Sequence, residues 1–285
     1  MTRPEPPNLI LLLYTDRADA VTSVLLEQGQ RLRCEVLAMS LSQLINEAIV
    51  GRTWKWAERT IDPSHTAVVN RLLSVEGEAA PFRSSVQRQQ FWIWLAGALQ
   101  GFAYVSSMPS AISPLGSFGS LVDQWSDLPE LVSGLRVPNH RAGGSTAELR
   151  GDVYVVDPWH LYNLGRRAAI EPGSGEWHGH LAYVRPAGRL FHVAQVGNTI
   201  IVPNAPPGMR QEQRDHIVSF TRSMSVLSPN RILEHAFFEG NEVPVFYSTC
   251  PIPVVTGRLP GYADLVVTGL QDDIENCSRR SAARS

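Results

Sequence analysis

Residues 8–15 (NLILLLYT) form an apolar run that no polar residue interrupts after Asn8 until the final threonine. Such a run predicts a strand that is covered on both faces, as happens in parallel sheets flanked by helices. Residues 19–28 then have helical apolar spacing and stop at Gly29, which is a common helix C-terminal signal. Residues 33–39 predict a second strand, so we expect the chain to open with a βαβ unit.

The rest of the first half continues this alternation of strands and helices. Residues 66–70 and 102–106 predict further strands. Between them, residues 87–100 predict an apolar helix in which Trp92 and Trp94 pack into the core. A second helix is expected within residues 117–135.

From about residue 150 the pattern changes to short strands separated by tight turns, followed by a closing hairpin. We expect strands at 152–156, 180–184, 190–195, 199–202, 231–239 and 243–247, and a helix at 210–223. Residues 262–273 are expected to form a final helix or a strand followed by a helix. The predicted fold class is therefore α/β, with a parallel α/β half followed by a largely antiparallel α+β half.

The composition narrows the class of protein. The 285 residues are 44% hydrophobic and 18% charged, which is typical of a compact globular chain. A net charge of −2 gives no general attraction to nucleic acid or anionic membranes. The longest apolar run is much shorter than the roughly 20 residues of a membrane span, and the start lacks a secretory signal pattern. Three widely spaced cysteines indicate reduced thiols, so we expect a cytoplasmic protein.

Several local motifs occur in a recognisable order. Residues 137–140 (VPNH) follow the first half and are similar to a P-x-T element. Residues 193–198 (VAQVGN) are similar to a strand motif written vvGd, and the chain then closes with a two-stranded hairpin. In this order and spacing the chain resembles the ATP-grasp superfamily, and in particular its peptide-maturing and amino-acid-ligating members.

The resemblance implies a domain plan and a cofactor. Residues 1–140 would form the N-terminal α/β (pre-ATP-grasp) domain, and residues 141–276 the ATP-grasp-like lid and C-terminal subdomain. Residues 277–285, rich in Ser and Arg, are expected to be a loose tail. Members of the superfamily use ATP and magnesium, so these would be the cofactors of an active relative.

The residues at the corresponding ATP and magnesium positions are mostly different. Glu234 stands where the first acidic ligand is expected, but Tyr247 and Thr249 stand where the family has Glu and Asn. Asp157 replaces the lysine that would contact the α-phosphate. Magnesium prefers carboxylate oxygens and an acid repels phosphate, so we expect this chain not to bind magnesium–ATP as its relatives do.

The first functional hypothesis is therefore a diverged ATP-grasp-like protein in modified-peptide or specialised-metabolite biosynthesis. It would act as a partner or as a repurposed enzyme, together with a precursor peptide or a partner enzyme, and it could form a homodimer. The alternative is an active ATP-dependent carboxylate–amine ligase whose metal site is rebuilt from Asp157, Glu234, Glu239 and Glu242.

A third hypothesis is a metal-dependent enzyme that uses the run Trp177-His178-Gly179-His180. Two histidines at i and i+2 on a strand point the same way, and His192 on a nearby strand could be a third ligand. The competing interpretation is that His178 lies exposed in a glycine-rich loop, while His180 and His192 are ordinary sheet residues.

Two weaker features remain open. Residues 141–146 (RAGGST) are glycine-rich, which is more typical of a turn, although Arg141 and Arg150 beside them could bind an anion. Residues 54–56 (WKW) could recognise a peptide or simply pack. No nucleophile elbow or Cys/His pair at a catalytic spacing occurs, so no catalytic residue is assigned.

Overall fold

The computed structural model describes residues 7–73, 82–110, 116, 119–142, 149–158, 161, 164, 166–167, 181–228 and 230–284. The helices are α1 (Ala20–Gln28), α2 (Leu41–Asn46), α3 (Ser85–Leu99), α4 (Leu121–Leu131), α5 (Gln211–Leu227) and α6 (Tyr262–Arg284). The strands of the first half are β1 (Leu9–Tyr14), β2 (Glu35–Ser40), β3 (Trp54–Trp56), β4 (Arg59–Ile61), β5 (Thr66–Arg71) and β6 (Tyr104–Val105). Those of the second half are β7 (His140–Ala142), β8 (Val153–Val156), β9 (Arg166–Arg167), β10 (Leu181–Val184), β11 (Leu190–Val196), β12 (Thr199–Ile201), β13 (Ile232–Phe238) and β14 (Val245–Cys250).

The N-terminal sheet has the strand order β2-β1-β5-β6, and all its pairings are parallel. Alternate residues of β1 enter two different cores because both faces of this strand are covered. Ile10 and Leu12 pack with α1 and α6, whereas Leu11 and Leu13 pack with α2 and α3. The apolar run at the start of the chain is thus explained by its central place in the sheet.

Two antiparallel sheets make up the second half. The lid sheet has the order β7-β10-β8-β9, and the C-terminal sheet has the order β12-β11-β13-β14. Helices α4 and α5 pack with both sheets in a shared core that contains Trp125, Tyr183, Phe220 and Tyr247. The predicted fold class, a parallel α/β half followed by a mixed antiparallel half, is confirmed.

Local signals account for where the helices begin. The Asp19 side chain accepts a hydrogen bond from the backbone N–H of Thr22 and starts α1. Ser84 and Gln87 form a capping box at α3, as Ser120 and Asp123 do at α4. These caps satisfy N–H groups that a helix cannot satisfy itself.

Two sequence-based predictions need correction, and two elements were not predicted. The residues from Cys277 onward were expected to be a loose tail, but α6 continues to Arg284. The Cys277 side chain packs against the core beside α1, and the Ala and Arg residues beyond it favour a helix. Trp94 was expected to be buried with Trp92, but it is 45% exposed, whereas Trp92 is buried. The sequence also did not predict α2 or the β3–β4 hairpin.

Within the described ranges, none of the helices is both long enough and apolar enough to cross a membrane.

Candidate functional site

A small cavity lies on one face of the C-terminal sheet. Its lining includes apolar groups from Leu161, Leu190 and Ala236, and polar groups from the following residues: His192, Glu234, Tyr247, Ser248 and Cys250. The cavity volume is about 10 Å³. That is room for about one water molecule.

Glu234 is the buried acid of this cavity, and its carboxylate is anchored by the chain itself. Its Oε2 accepts hydrogen bonds from the Thr256 backbone N–H (2.6 Å), the Thr256 hydroxyl (2.7 Å) and the Val255 backbone N–H (3.0 Å). Its Oε1 accepts a longer bond of 3.4 Å from Val255. The carboxylate therefore holds the turn at residues 255–256 to the sheet.

On the neighbouring strand β14, two residues that were not predicted, Ser248 and Cys250, face the cavity. Glu234 pairs directly with Cys250, and Ala236 pairs with Ser248, so Ser248 and Cys250 share the face of Glu234. A β-bulge follows at Ala236 and Phe237, and it allows Tyr247 to line the cavity as well.

Thr249 does not lie in the cavity. It pairs with His235, and the Thr249 hydroxyl donates to His235 Nδ1 at 2.8 Å on the opposite face of the sheet. The other ring nitrogen, Nε2, donates to Gln195 Oε1 at 2.7 Å. Burial lowers the pKa of His235 to about 3, so the ring is neutral. Thr249 therefore lies on the face of the sheet opposite to Glu234, Ser248 and Cys250, because side chains alternate along a strand.

An aromatic group connects helix α4, the lid sheet and the C-terminal sheet. The ring centroids of Trp125, Tyr183 and Tyr247 lie 5.4 to 5.7 Å apart. The Trp125 indole N–H donates to the Tyr247 carbonyl at 2.5 Å, and the two tyrosine side chains share a hydrogen bond. Burial raises the pKa of both phenols, that of Tyr183 to about 12.

The segment that follows β8 is tied over this aromatic group at three places. The Pro158 carbonyl accepts from the Leu121 N–H at 2.8 Å, the Leu161 carbonyl from the Ser248 hydroxyl at 2.8 Å, and the Leu164 carbonyl from the Tyr183 hydroxyl at 2.7 Å. These bonds hold the lid sheet against α4 and the C-terminal sheet.

The overall arrangement matches solved structures, although no known family profile and no curated protein sequence matches the chain. The ATP-grasp ligase PsnB, complexed with precursor peptide PsnA2 and AMPPNP, is 16% identical with a TM-score of 0.63 and covers 96% of this chain and 100% of its own. The macrocyclase MdnB from Microcystis aeruginosa MRC is 13% identical with a TM-score of 0.58, covering 94% and 99%. The L-amino acid ligase from Bacillus licheniformis is 10% identical with a TM-score of 0.52, covering 95% and 75%.

This chain has the ATP-grasp fold. In that fold the cavity beside Glu234 lies on the closing hairpin, where the sequence resemblance placed the magnesium ligands. Asp157 lies half-buried directly after β8.

The acids proposed for a rebuilt metal site are not gathered in one place. Glu239 follows the end of β13, five residues beyond Glu234, which is roughly 16 Å along a strand. Glu239 Oε2 lies near the Arg189 backbone N–H, and Glu242 follows in the hairpin turn. Among the described residues no group of three His, Cys, Asp or Glu side chains could hold a metal ion.

His192 is the only member of the predicted histidine group that the described residues include, since His178 and His180 lie outside them. Its ring is half-buried, and its buried Nδ1 has no hydrogen-bond partner among the described residues. Burial lowers the pKa of His192, while the nearby carboxylate of Glu234 acts in the opposite direction.

The predicted anion-binding arginines are both exposed but lie apart. Arg141 on β7 pairs with Ala182 of β10, whereas Arg150 precedes β8 on the other side of β10. The two therefore do not form one cluster. The run at residues 54–56 is mainly structural, because Trp54 is fully buried and the Trp56 indole N–H donates to Glu47 at 2.9 Å.

Ser248 and Cys250 are polar cavity residues that were not predicted from the sequence. The sequence does contain a signal for them. If Glu234 faces the cavity, its direct partner on the next strand must also face the cavity, and so must every second residue of that strand counted from this partner. The pairing register decides which residues those are, and the bulge at Ala236 and Phe237 conceals the register in the sequence.

Proposed function

We propose that this chain is a diverged ATP-grasp-like protein that acts as a peptide-binding partner in modified-peptide biosynthesis and does not bind magnesium–ATP between its two antiparallel sheets. The observation that carries the proposal is the packing of Trp125, Tyr183 and Tyr247 in that space. Pockets for ligands of drug size measure about 300 to 1,000 Å³. The cavity beside Glu234, at about 10 Å³, is far smaller.

The polar groups of the cavity also do not fit a magnesium ion. Magnesium requires about six oxygen ligands in octahedral geometry and is usually held by carboxylates together with phosphates and waters. Glu234 supplies the only carboxylate among the described residues that line the cavity, and Thr256 and Val255 already donate hydrogen bonds to it. Cys250 stands directly opposite, and a thiol is a soft ligand that suits other metals.

The peptide partner is proposed from the solved structures of similar fold. PsnB has been solved with precursor peptide PsnA2, and MdnC, with a TM-score of 0.58 to this chain, has been solved with precursor peptide MdnA. A chain of this fold that no longer holds a nucleotide could still bind a peptide or the enzyme that modifies it. This would take place in the cytoplasm, where such peptides are made.

Isothermal titration calorimetry of the full chain with magnesium–ATP tests the nucleotide part. We expect no saturable binding below about 1 mM, whereas binding at about 1 μM would support an active ligase. Fluorescence anisotropy with labelled peptides encoded beside the gene of this chain tests the partner part. Saturable peptide binding in the absence of nucleotide is expected, and a strict requirement for ATP would contradict the proposal.

A further inference from the structure

Strand β2 (Glu35–Ser40) is a long edge strand of the N-terminal sheet. It pairs with β1 on one side, and no described strand pairs with its other side. The other edge strands of the four-stranded sheets differ from it. Strands β6, β7, β9 and β12 have only two or three residues. Strand β14 is as long as β2 but is covered by α4, where the Gln124 amide bonds both the N–H and the carbonyl of Thr249. Proteins usually shorten or cover such edges, because an unpaired edge accepts another strand.

Alternate backbone groups of β2 point away from the sheet. The Glu35 N–H donates to the Asn8 carbonyl, so Glu35 faces β1, whereas Val36 and Ala38 face outward. These outward N–H and carbonyl groups have no hydrogen-bond partner among the described residues. They recur about every 6.6 Å along the strand. The edge therefore offers two donors and two acceptors in the spacing of a β-ladder.

A groove of about 480 Å³ runs between this edge strand and the β3–β4 hairpin. Its volume lies within the range of about 300 to 1,000 Å³ that is typical of ligand sites. The sheet contributes Asn8, Leu9, Glu35 and Leu37 to its lining, and β4 contributes Arg59, Thr60 and Ile61.

Strand β4 also turns unpaired backbone groups toward its outer side. The Lys55 N–H and carbonyl both bond to Ile49, at 2.9 Å, so Lys55 and Thr60 are a pair without hydrogen bonds between them. The backbone groups of Thr60 consequently point away from β3. Since Thr60 lines the groove, strands with outward backbone groups border it on two sides.

The charged residues of the groove do not close it firmly. Glu35 and Arg59 form an ion pair with each other, and their side chains are 55% and 52% exposed. An ion pair this exposed contributes little to stability, so a ligand can open it at small cost.

We propose that an extended peptide binds in this groove as an additional strand along β2, with hydrogen bonds to the outward backbone groups of Val36 and Ala38. Every second side chain of the peptide enters the groove over Leu9 and Leu37, so the peptide carries apolar residues at alternate positions. The occupant is a single strand, because a second copy of this chain would bring its own β3–β4 hairpin to the place that this hairpin borders. The inference rests on the proposed function for the choice of a peptide as partner, and it gives that peptide a binding site.

Fluorescence anisotropy of the full chain with a labelled peptide of about eight residues tests the site. The probe has Val or Leu at every second position, Thr between them, and Lys at both ends for solubility. We expect saturable binding with a dissociation constant below about 1 mM. Ala38→Pro should weaken binding about tenfold or more, because proline removes the outward N–H and places its ring at the edge.

Ala142→Pro on edge strand β7 is the matched control. The Val184 N–H donates to the Asn139 carbonyl, so the alternation of an antiparallel pair points the Ala142 N–H away from β10. Both variants should fold, with melting temperatures close to that of the wild type, since proline is tolerated where an edge N–H faces away from the sheet. Ala142→Pro should bind the probe like the wild type.

Methylation of the probe at one backbone nitrogen at a time needs no variant of the protein, and it decides the question if Ala38→Pro does not fold. Alternate N–H groups of an added strand face β2, so methylation at every second nitrogen should weaken binding about tenfold or more, and methylation between them should have little effect. Weakening without this period, equal affinities of the two proline variants, or the absence of saturable binding would each overturn the proposal. A dimer that Ala38→Pro dissociates would also overturn it, by assigning the edge to a second copy. Failure of this probe would refute the site alone, whereas the titration with the encoded peptides tests the proposed function.

Discussion

Thr256 donates two hydrogen bonds to the buried carboxylate of Glu234. The carboxylate accepts from both the backbone N–H and the hydroxyl of Thr256, at 2.6 and 2.7 Å. Thr256 lies in the short turn that precedes α6, so this contact joins the C-terminal sheet to the final helix. An acid that the fold resemblance assigns to metal binding is therefore used here for structure.

The first prediction concerns that contact. Glu234→Ala should lower the free energy of unfolding by about 3 kcal/mol, because it leaves buried donors of Val255 and Thr256 without an acceptor. Glu239→Ala is the control, since Glu239 lies at the partly exposed hairpin end, and should cost about 0.5 kcal/mol. Urea denaturation measures both. Equal effects of the two substitutions would show that the Glu234 carboxylate has no special structural role.

The second prediction concerns the buried ion pair between Asp19 and Arg71. Arg71 donates to both carboxylate oxygens of Asp19, at 2.9 and 2.5 Å, and both side chains are almost fully buried. Arg71→Met should cost about 3 to 5 kcal/mol because it leaves a buried carboxylate unpaired. Adding Asp19→Asn should recover part of that loss. The exposed pair of Arg59 and Glu35 is the control, and Arg59→Met should cost less than about 1 kcal/mol.

The same pair has a pH dependence with a definite sign. Burial alone would raise the pKa of Asp19, but Arg71 and the Thr22 hydrogen bonds outweigh it, so the folded-state pKa lies below 3.8. A depressed carboxyl pKa gives stability that is present above pH 3.8 and is lost as the pH falls through the folded-state value.

The third prediction concerns His235, whose neutral ring lies between Gln195 and Thr249. Its pKa is about 3 when folded and 6.5 ordinarily, so the neutral ring stabilises the fold above pH 6.5 and this stability is lost as the pH falls toward 3. Between pH 7 and pH 5 the loss should be about 2 kcal/mol. His235→Gln should remove this part of the pH dependence, whereas His216→Gln on α5 should retain it. Denaturation curves at the two pH values measure the difference.

Much of the fold could be predicted because its signals are local. The apolar run of residues 8–15 predicts β1 as a strand that is covered on both faces, and Gly29 marks the end of α1 at Gln28. The exposure of Trp94 could not be predicted in this way. Phe91 and Trp94 lie within one helical turn, and only the position of α3 on the sheet decides which of them is covered.

The site was harder to predict because it depends on register. Tyr247 and Thr249 are two residues apart and would share a face of a regular strand. The bulge on β13 and β14 breaks that regularity, so Tyr247 lines the cavity while Thr249 pairs with His235 behind it. A one-residue shift of this kind exchanges the two faces of a strand, and nothing in the local sequence marks it.

The fourth prediction tests which face of β14 can be made to bind a metal beside Glu234. Ser248→Asp with Cys250→Asn places a carboxylate and an amide on the cavity face, because Ser248 and Cys250 share the face of Glu234. Asp is chosen because the cavity is small. Tyr247→Asp with Thr249→Asn is the matched pair, and it places the amide on the opposite face.

Thermal melting with and without Mn²⁺, an ion that suits carboxylate ligands, distinguishes the two variants. The Ser248 and Cys250 variant should melt higher with Mn²⁺, and tenfold excess over the dissociation constant should stabilise it by about 1.4 kcal/mol. The Tyr247 and Thr249 variant should be less stable than the wild type, since it removes the Thr249 hydroxyl that donates to His235, and it should not respond to the ion. The opposite result would show that Tyr247 and Thr249, and not Ser248 and Cys250, correspond to the family's metal ligands.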